Sequence, residues 1–180
     1  MIVLGSRRLS RTSEFFSAGS LVVPFTAQAE CPVVVVGDAE HITQQPTYLV
    51  VGIDGSEPSK AAVALAFEEA DLRGAGLRAI SVWQQPPIFT LRGQEDALQA
   101  QRRMLSEMTA GFSQQYPDVA LKHEVPTGHP VEELAGAAEH ALAVVVGRRG
   151  RGGYTGMRLG SVVHGLLHRA HCPVITVPLG

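Results

Sequence analysis

Val144-Val145-Val146-Gly147-Arg148-Arg149-Gly150-Arg151-Gly152-Gly153-Tyr154-Thr155-Gly156-Met157-Arg158-Leu159-Gly160-Ser161 is the stretch on which the fold turns. A continuous valine run stops at a glycine, a polar glycine-rich segment follows, and Gly160-Ser161 opens a new apolar-periodic stretch at 161–169. Such a run suits a strand buried on both faces of a parallel sheet. Glycines let the backbone come close to a ligand, and the first turn of a helix carries free N–H groups. Strand, glycine loop and helix in that order can make an anion site, with converging N–H donors for phosphate oxygens; a surface loop without a ligand is the other reading. Cys172-Pro173-Val174-Ile175-Thr176-Val177 then supplies the next strand.

The same unit occurs at the start of the chain. Met1-Ile2-Val3-Leu4-Gly5 leads to Gly19-Ser20 and then to Cys31-Pro32-Val33-Val34-Val35-Val36. Gly19-Ser20 and Gly160-Ser161 are 141 residues apart, as are Cys31-Pro32 and Cys172-Pro173, while Gly5 and Gly147 are 142 apart. Two such pairs at one offset, each beside a valine run, mark an internal repeat. Only the second copy has a full domain in front of it. Residues 1–37 are accordingly expected to be the C-terminal remnant of a preceding repeat, with strands at 2–4 and 33–36 and a helix over about 13–28. Residues 38–47 read as a polar linker, and 48–180 as the domain proper.

Within that domain, Tyr48-Leu49-Val50-Val51-Gly52-Ile53 reads as a first buried strand. Ser56 offers an N-cap to a helix over 59–73, which Gly74 and Gly76 end. A second strand is expected over 77–83, a long helix over 94–115, and a third strand over 119–125. Pro130, Glu132 and Glu133 start another helix. The fourth strand falls at 141–146 and the fifth at 174–177. Alternating strands and helices imply an α/β fold, an open doubly wound parallel sheet, here in order 3-2-1-4-5. Ligands of such sheets bind beyond the carboxyl ends of the strands where the order reverses, here between strands 1 and 4.

The composition, 45% hydrophobic and 18% charged over 180 residues, fits a soluble globular protein. A net charge of −2 gives no reason to expect nucleic acid or a membrane surface as partner. No apolar run reaches the ~18 residues needed to span a bilayer. Two cysteines make no disulfide framework, so a cytoplasmic protein with free thiols is expected.

The spacing Gly147-x2-Gly150-x9-Gly160-Ser161 resembles the ATP-binding signature of the universal stress protein family. Val51-Gly52-Ile53-Asp54-Gly55-Ser56 looks like that family's first strand and turn, and Cys172-Pro173-Val174 like the approach to its last strand. The resemblance covers residues 48–180, with 1–37 as the tail of a second copy. It implies an adenine-nucleotide α-hydrolase-like fold and ATP as ligand. It also implies that Asp54 lies near the nucleotide, and that Ile53 and Val82 wall the adenine slot, partly through backbone groups. Gly147, Gly150 and Gly160 would shape the phosphate loop, with Ser161 and Val162 donating to phosphate; Arg148, like Arg149, Arg151 and Arg158, either neutralises phosphate charge or belongs to a solvated basic loop. A Mg²⁺ ion would offset the charge of Asp54 beside the phosphates. The first copy departs from the pattern: Arg8 stands where a glycine is expected, and ten residues instead of nine separate it from Gly19. The family habit of pairing fifth strands across a two-fold implies that 33–36 lies antiparallel beside 174–177, or that a homo-oligomer forms there.

No nucleophile with a paired base appears, so the leading expectation is a nucleotide-responsive stress or signalling protein with at most slow ATP hydrolysis. The alternative is a dimerising interaction module that binds no nucleotide. His164 and His168, four apart on a helix, lack a companion ligand pattern and are read as surface or contact residues.

Overall fold

The computed structural model describes residues 1–6, 22–37, 40–84, 91–151 and 159–179. In chain order the elements are β1 (Ile2–Ser6), α1 (Val22–Gln28), β2 (Val33–Gly37), β3 (Tyr48–Gly52), α2 (Glu57–Arg73), β4 (Gly76–Ile80) and α3 (Leu91–Gln115). They continue as β5 (Leu121–Glu124), α4 (Pro130–Ala137), β6 (Val144–Gly147), α5 (Ser161–Arg169) and β7 (Val174–Val177). All strands join one sheet in the order β1-β2-β7-β6-β3-β4-β5.

The five strands from Tyr48 onward stand as β5-β4-β3-β6-β7, which is the expected order 3-2-1-4-5. The sheet as a whole differs from that five-stranded expectation. Among the described residues it has seven strands, and one pair, β2 with β7, is antiparallel. The second strand stops at Ile80 instead of reaching Trp83, although the chain stays alongside its neighbour: Ser81 N–H donates to Glu124 O at 3.0 Å and Trp83 N–H to Pro126 O at 2.9 Å. The third and fourth strands are likewise shorter than their apolar runs. Of the helix expected over 13–28, residues 22–28 are helical and 13–21 lie outside the described residues.

Side-chain alternation divides the core between the two faces of the sheet. Leu49, Val51 and Val145 turn toward Phe67 of α2 and Leu105 of α3. Val50, Val144 and Val146 turn toward Leu134 of α4 and Val163 and Leu166 of α5. Helices on both faces explain why the central strands read as unbroken valine and leucine. Ser56 caps α2 by accepting from the Ser59 N–H, Pro58 sits in its first turn, and Gly74 ends it in the left-handed region at φ 57°.

The stretches that match in the sequence also match in strand register. β1 pairs with β2 in parallel with Ile2 opposite Val33 and Gly5 opposite Val36. β6 pairs with β7 in the same register, Val144 opposite Val174 and Gly147 opposite Val177. Both helices end alike, Ala29 N–H on Phe25 O at 2.9 Å and Ala170 N–H on Leu166 O at 2.8 Å. The antiparallel joint pairs Val33 with Thr176, Val34 with Ile175, and Val35 with Val174. Exchanging each residue for its repeat counterpart returns the same three pairs, so a local two-fold passes through Val34 and Ile175. As the family resemblance implies, β2 lies antiparallel beside β7, and β1 stands at the edge of the sheet.

Candidate nucleotide site

β3 has β4 on one side and β6 on the other, both parallel, and Gly52 lies opposite Val146 near the carboxyl ends of β3 and β6. Connections leave this point toward opposite edges, which opens a crevice just beyond the strand ends. The turn 53–56 and the segment after Gly147 meet there.

Asp54 is the hub of that meeting. One carboxylate oxygen accepts from the Ser56 N–H at 3.0 Å and the Ser56 hydroxyl at 2.5 Å. The other accepts from the Arg151 N–H at 2.7 Å. Partial burial acts to raise the carboxyl pKa, but the donors on Ser56 and Arg151 outweigh it and hold the group below the ordinary aspartate value. Asp54 is therefore ionised at neutral pH, its charge met by N–H and O–H dipoles. The loop after β6 can approach it because residue 150 is glycine: a Cβ there would collide with the carboxylate oxygen that Arg151 binds. Gly147 answers a second close approach, since a Cβ would lie 2.6 Å from the carbonyl carbon of Pro58 in the first turn of α2.

The neck of the loop is closed by Arg148 and Gly160. Arg148 N–H donates to Val177 O at 2.7 Å, and Gly160 N–H donates to Arg148 O at 2.9 Å. Gly160 is the N-cap of α5 in extended conformation, and among the described residues no side chain caps the helix. Ser161 is exposed and Val162 half-buried at the first turn. Residues 152–158, the remainder of the expected phosphate loop, lie outside the described residues.

The expected site residues thus gather at one end of the sheet, with two refinements. Ile53 is buried in the cluster under α2 and α3, whereas Val82 packs against the cluster on the α4 and α5 face. Their side chains belong to opposite faces. The Ile53 N–H is already held by Ile80 O at 2.8 Å. The Arg148 guanidinium turns to the N-terminal segment, donating to Ala29 O at 2.5 Å, so within the loop it is the backbone of Arg148 that takes part.

Sequence reading missed the tie from the Arg151 backbone to Asp54 and the second duty of Ser56, which holds Asp54 while capping α2. It also missed a cleft of ≈ 750 Å³ beside the site, lined among others by Gly55, Lys60, Trp83, Gln101, Met104 and Arg151. Ser81 anchors Gln101 there at 2.8 Å. The chain's single tryptophan, set where the second apolar run ends, was the available signal. His164 and His168 have their rings 4.7 Å apart, and among the described residues no three His, Cys, Asp or Glu side chains are grouped to hold a metal ion.

An open, doubly wound α/β sheet in which the turn at 53–56 and the segment after β6 meet at the switch point defines the class of fold, and comparison with known proteins gives it a family. The family model for the universal stress protein family matches residues 48–178. The chain is 38% identical over 179 residues to the universal stress protein Rv2005c of Mycobacterium tuberculosis, an alignment that takes in 97% of this chain and 60% of that protein. Among solved structures, a universal stress protein from Archaeoglobus fulgidus DSM 4304 superposes with a TM-score of 0.71 at 21% identity, over 99% of this chain and 60% of the other. A universal stress protein in complex with cAMP superposes with a TM-score of 0.58 at 23% identity, over 74% of this chain and 98% of the other. The chain belongs to the universal stress protein family, and it spans 60% of the length of the Rv2005c relative.

Proposed function

We propose that this universal stress protein binds ATP in the crevice between the ends of β3 and β6 and acts by nucleotide-dependent contacts instead of turnover. The observation that carries the reading is the Asp54–Arg151 tie, which draws the glycine loop across the switch point beside the uncapped first turn of α5. Gly147, Gly150 and Gly160, with the Arg148 backbone, shape the loop. Ser161 and Val162 offer N–H groups to phosphate oxygens, and the helix dipole favours the negative charge. Asp54 faces the ribose side, and the backbone around Ile53 and Val82, with the neighbouring cleft, receives the base. The fit is supported by Gly147 and Gly150, whose missing Cβ atoms let the loop pack against Pro58 and Asp54 and so bring it beside the strand ends. Asp54 alone is a thin ligand set for a metal, so Mg²⁺ enters as the ion carried by the phosphates. That a solved relative holds cAMP supports an adenine nucleotide as the class of ligand. The free thiols of Cys31 and Cys172 accord with a cytoplasmic setting.

Gly160→Val tests this. A Cβ at residue 160 would stand 3.3 Å from Arg148 O and 3.4 Å from the Arg149 Cα, so the larger side chain crowds the neck that must receive phosphate. Equilibrium dialysis with ATP and Mg²⁺ is expected to find about one ATP per wild-type chain and at least tenfold weaker binding to a folded variant, the loss of roughly 1.4 kcal/mol or more. Equal affinity in the two would overturn the assignment.

A further inference from the structure

Arg148 joins three parts of the molecule. Its N–H holds the end of β7 through Val177 O, and its carbonyl holds the N-cap of α5 through the Gly160 N–H. Its guanidinium crosses the two-fold joint to Ala29 O, just past the last turn of α1. The carbonyls at a helix C-terminus lack intrahelical donors and carry the negative end of the dipole, so a cation there is favoured. Burial and the neighbouring charge of Arg149 hold the Arg148 pKa below the usual arginine value, and Glu30, the residue after Ala29, offsets them in part. The bond therefore rests on its geometry, a guanidinium N–H on a carbonyl at a helix C-terminus.

Resting on the nucleotide reading above, we propose that Arg148 is a positioning residue that links nucleotide occupancy of the loop to docking of the N-terminal segment, residues 22–37. The neck formed by Arg148 and Gly160 bounds the loop on one side, while the Arg148 side chain grips the segment on the other. A ligand that holds the neck closed also holds the guanidinium where Ala29 needs it, so the two events reinforce each other. Linkage requires the converse as well: a docked segment tightens nucleotide binding by the same factor.

Cys31 is a built-in reporter, partly exposed and two residues beyond Ala29. Cys172 is the internal control, buried in the core with its thiol pushed up to about 11 by burial, and it stays slow to react while the domain is folded. The experiment measures the rate of Cys31 labelling by a disulfide reagent in the full chain, with and without MgATP, in the wild type, Arg148→Ala and Arg148→Lys. Without nucleotide, Arg148→Ala is expected to label Cys31 about tenfold faster, the equivalent of one charge-assisted hydrogen bond, with Cys172 still protected. Arg148→Lys should restore part of the protection. In the wild type, MgATP is expected to slow Cys31 labelling by at least about fivefold, the lower end of ordinary coupling between sites. In Arg148→Ala that slowing should vanish. Equal Cys31 rates in the wild type and Arg148→Ala without nucleotide would overturn the grip. ATP bound by the wild type with no change at Cys31 would overturn the linkage and leave the nucleotide reading standing. No ATP on the wild type by dialysis would overturn both.

Discussion

At the scale of single residues, Asp54 is the most exacting position. Its carboxylate is partly buried, yet donors on Ser56 and Arg151 keep its pKa depressed in the fold. A depressed carboxyl contributes stability that is present above the unfolded value of about 3.9 and lost as pH falls through the lower folded value. Asp54→Asn keeps the shape and removes that titration. Stability measured by denaturant melts from pH 6 to pH 3 is therefore expected to fall more steeply in the wild type than in Asp54→Asn, and parallel curves would exclude the assigned role. The sequence pointed to Asp54 and to Gly150 separately. It could not show that one exists for the other, because the collision of a residue-150 Cβ with an Asp54 oxygen is a contact across 96 positions of chain, outside any local pattern.

At the scale of elements, the two edges of the sheet contrast. β5 carries Lys122, His123 and Glu124, charged or polar groups of the kind that discourage a further strand from pairing. β1 reads Ile2-Val3-Leu4-Gly5-Ser6 with no charge, and Val3 is 66% exposed. Beside it Phe25 of α1 is half exposed, while its repeat counterpart Leu166 is fully buried among residues of α4 and β6. Val3→Lys places a charge on the bare edge. It is expected to raise, by several-fold, the protein concentration at which the chain self-associates in sedimentation velocity runs; an unchanged concentration would remove β1 from the account. Element type was legible from apolar period and from Gly and Pro punctuation: α2, α5 and β7 fall where the residues place them. Element ends were less so. The apolar runs at 77–83 and 119–125 outlast their ladders and the run at 141–146 begins before its own, since a residue can be buried beside a neighbouring strand outside regular pairing. Trp83, bridged to Thr127 outside any strand, is the plainest instance.

At the scale of the whole molecule, the N-terminal segment completes a joint. Val33 is 1% exposed between the two halves. Val33→Asp would leave an unpaired charge there, which a folded interior does not tolerate. The segment is expected to release, Cys31 to react at the rate of an unprotected thiol, and the bared β7 edge to draw chains into dimers detectable by light scattering. A monomer with Cys31 still shielded would show that the joint is not what holds the segment. The repeat was legible because two residue pairs recur at one offset. The two-fold that relates the copies was not written in either copy, and it became visible only through the matched registers of β1–β2 and β6–β7.

The antiparallel pairing of β2 with β7 has a further consequence, which concerns competition. Residues 38–47 tether the covering strand to the domain it covers. A strand on so short a leash is present at an effective concentration on the order of millimolar. Any free partner seeking the β7 edge, including another copy of this chain, must exceed that concentration or offer a better strand. While the strand stays tethered, it competes with any other strand for the β7 edge.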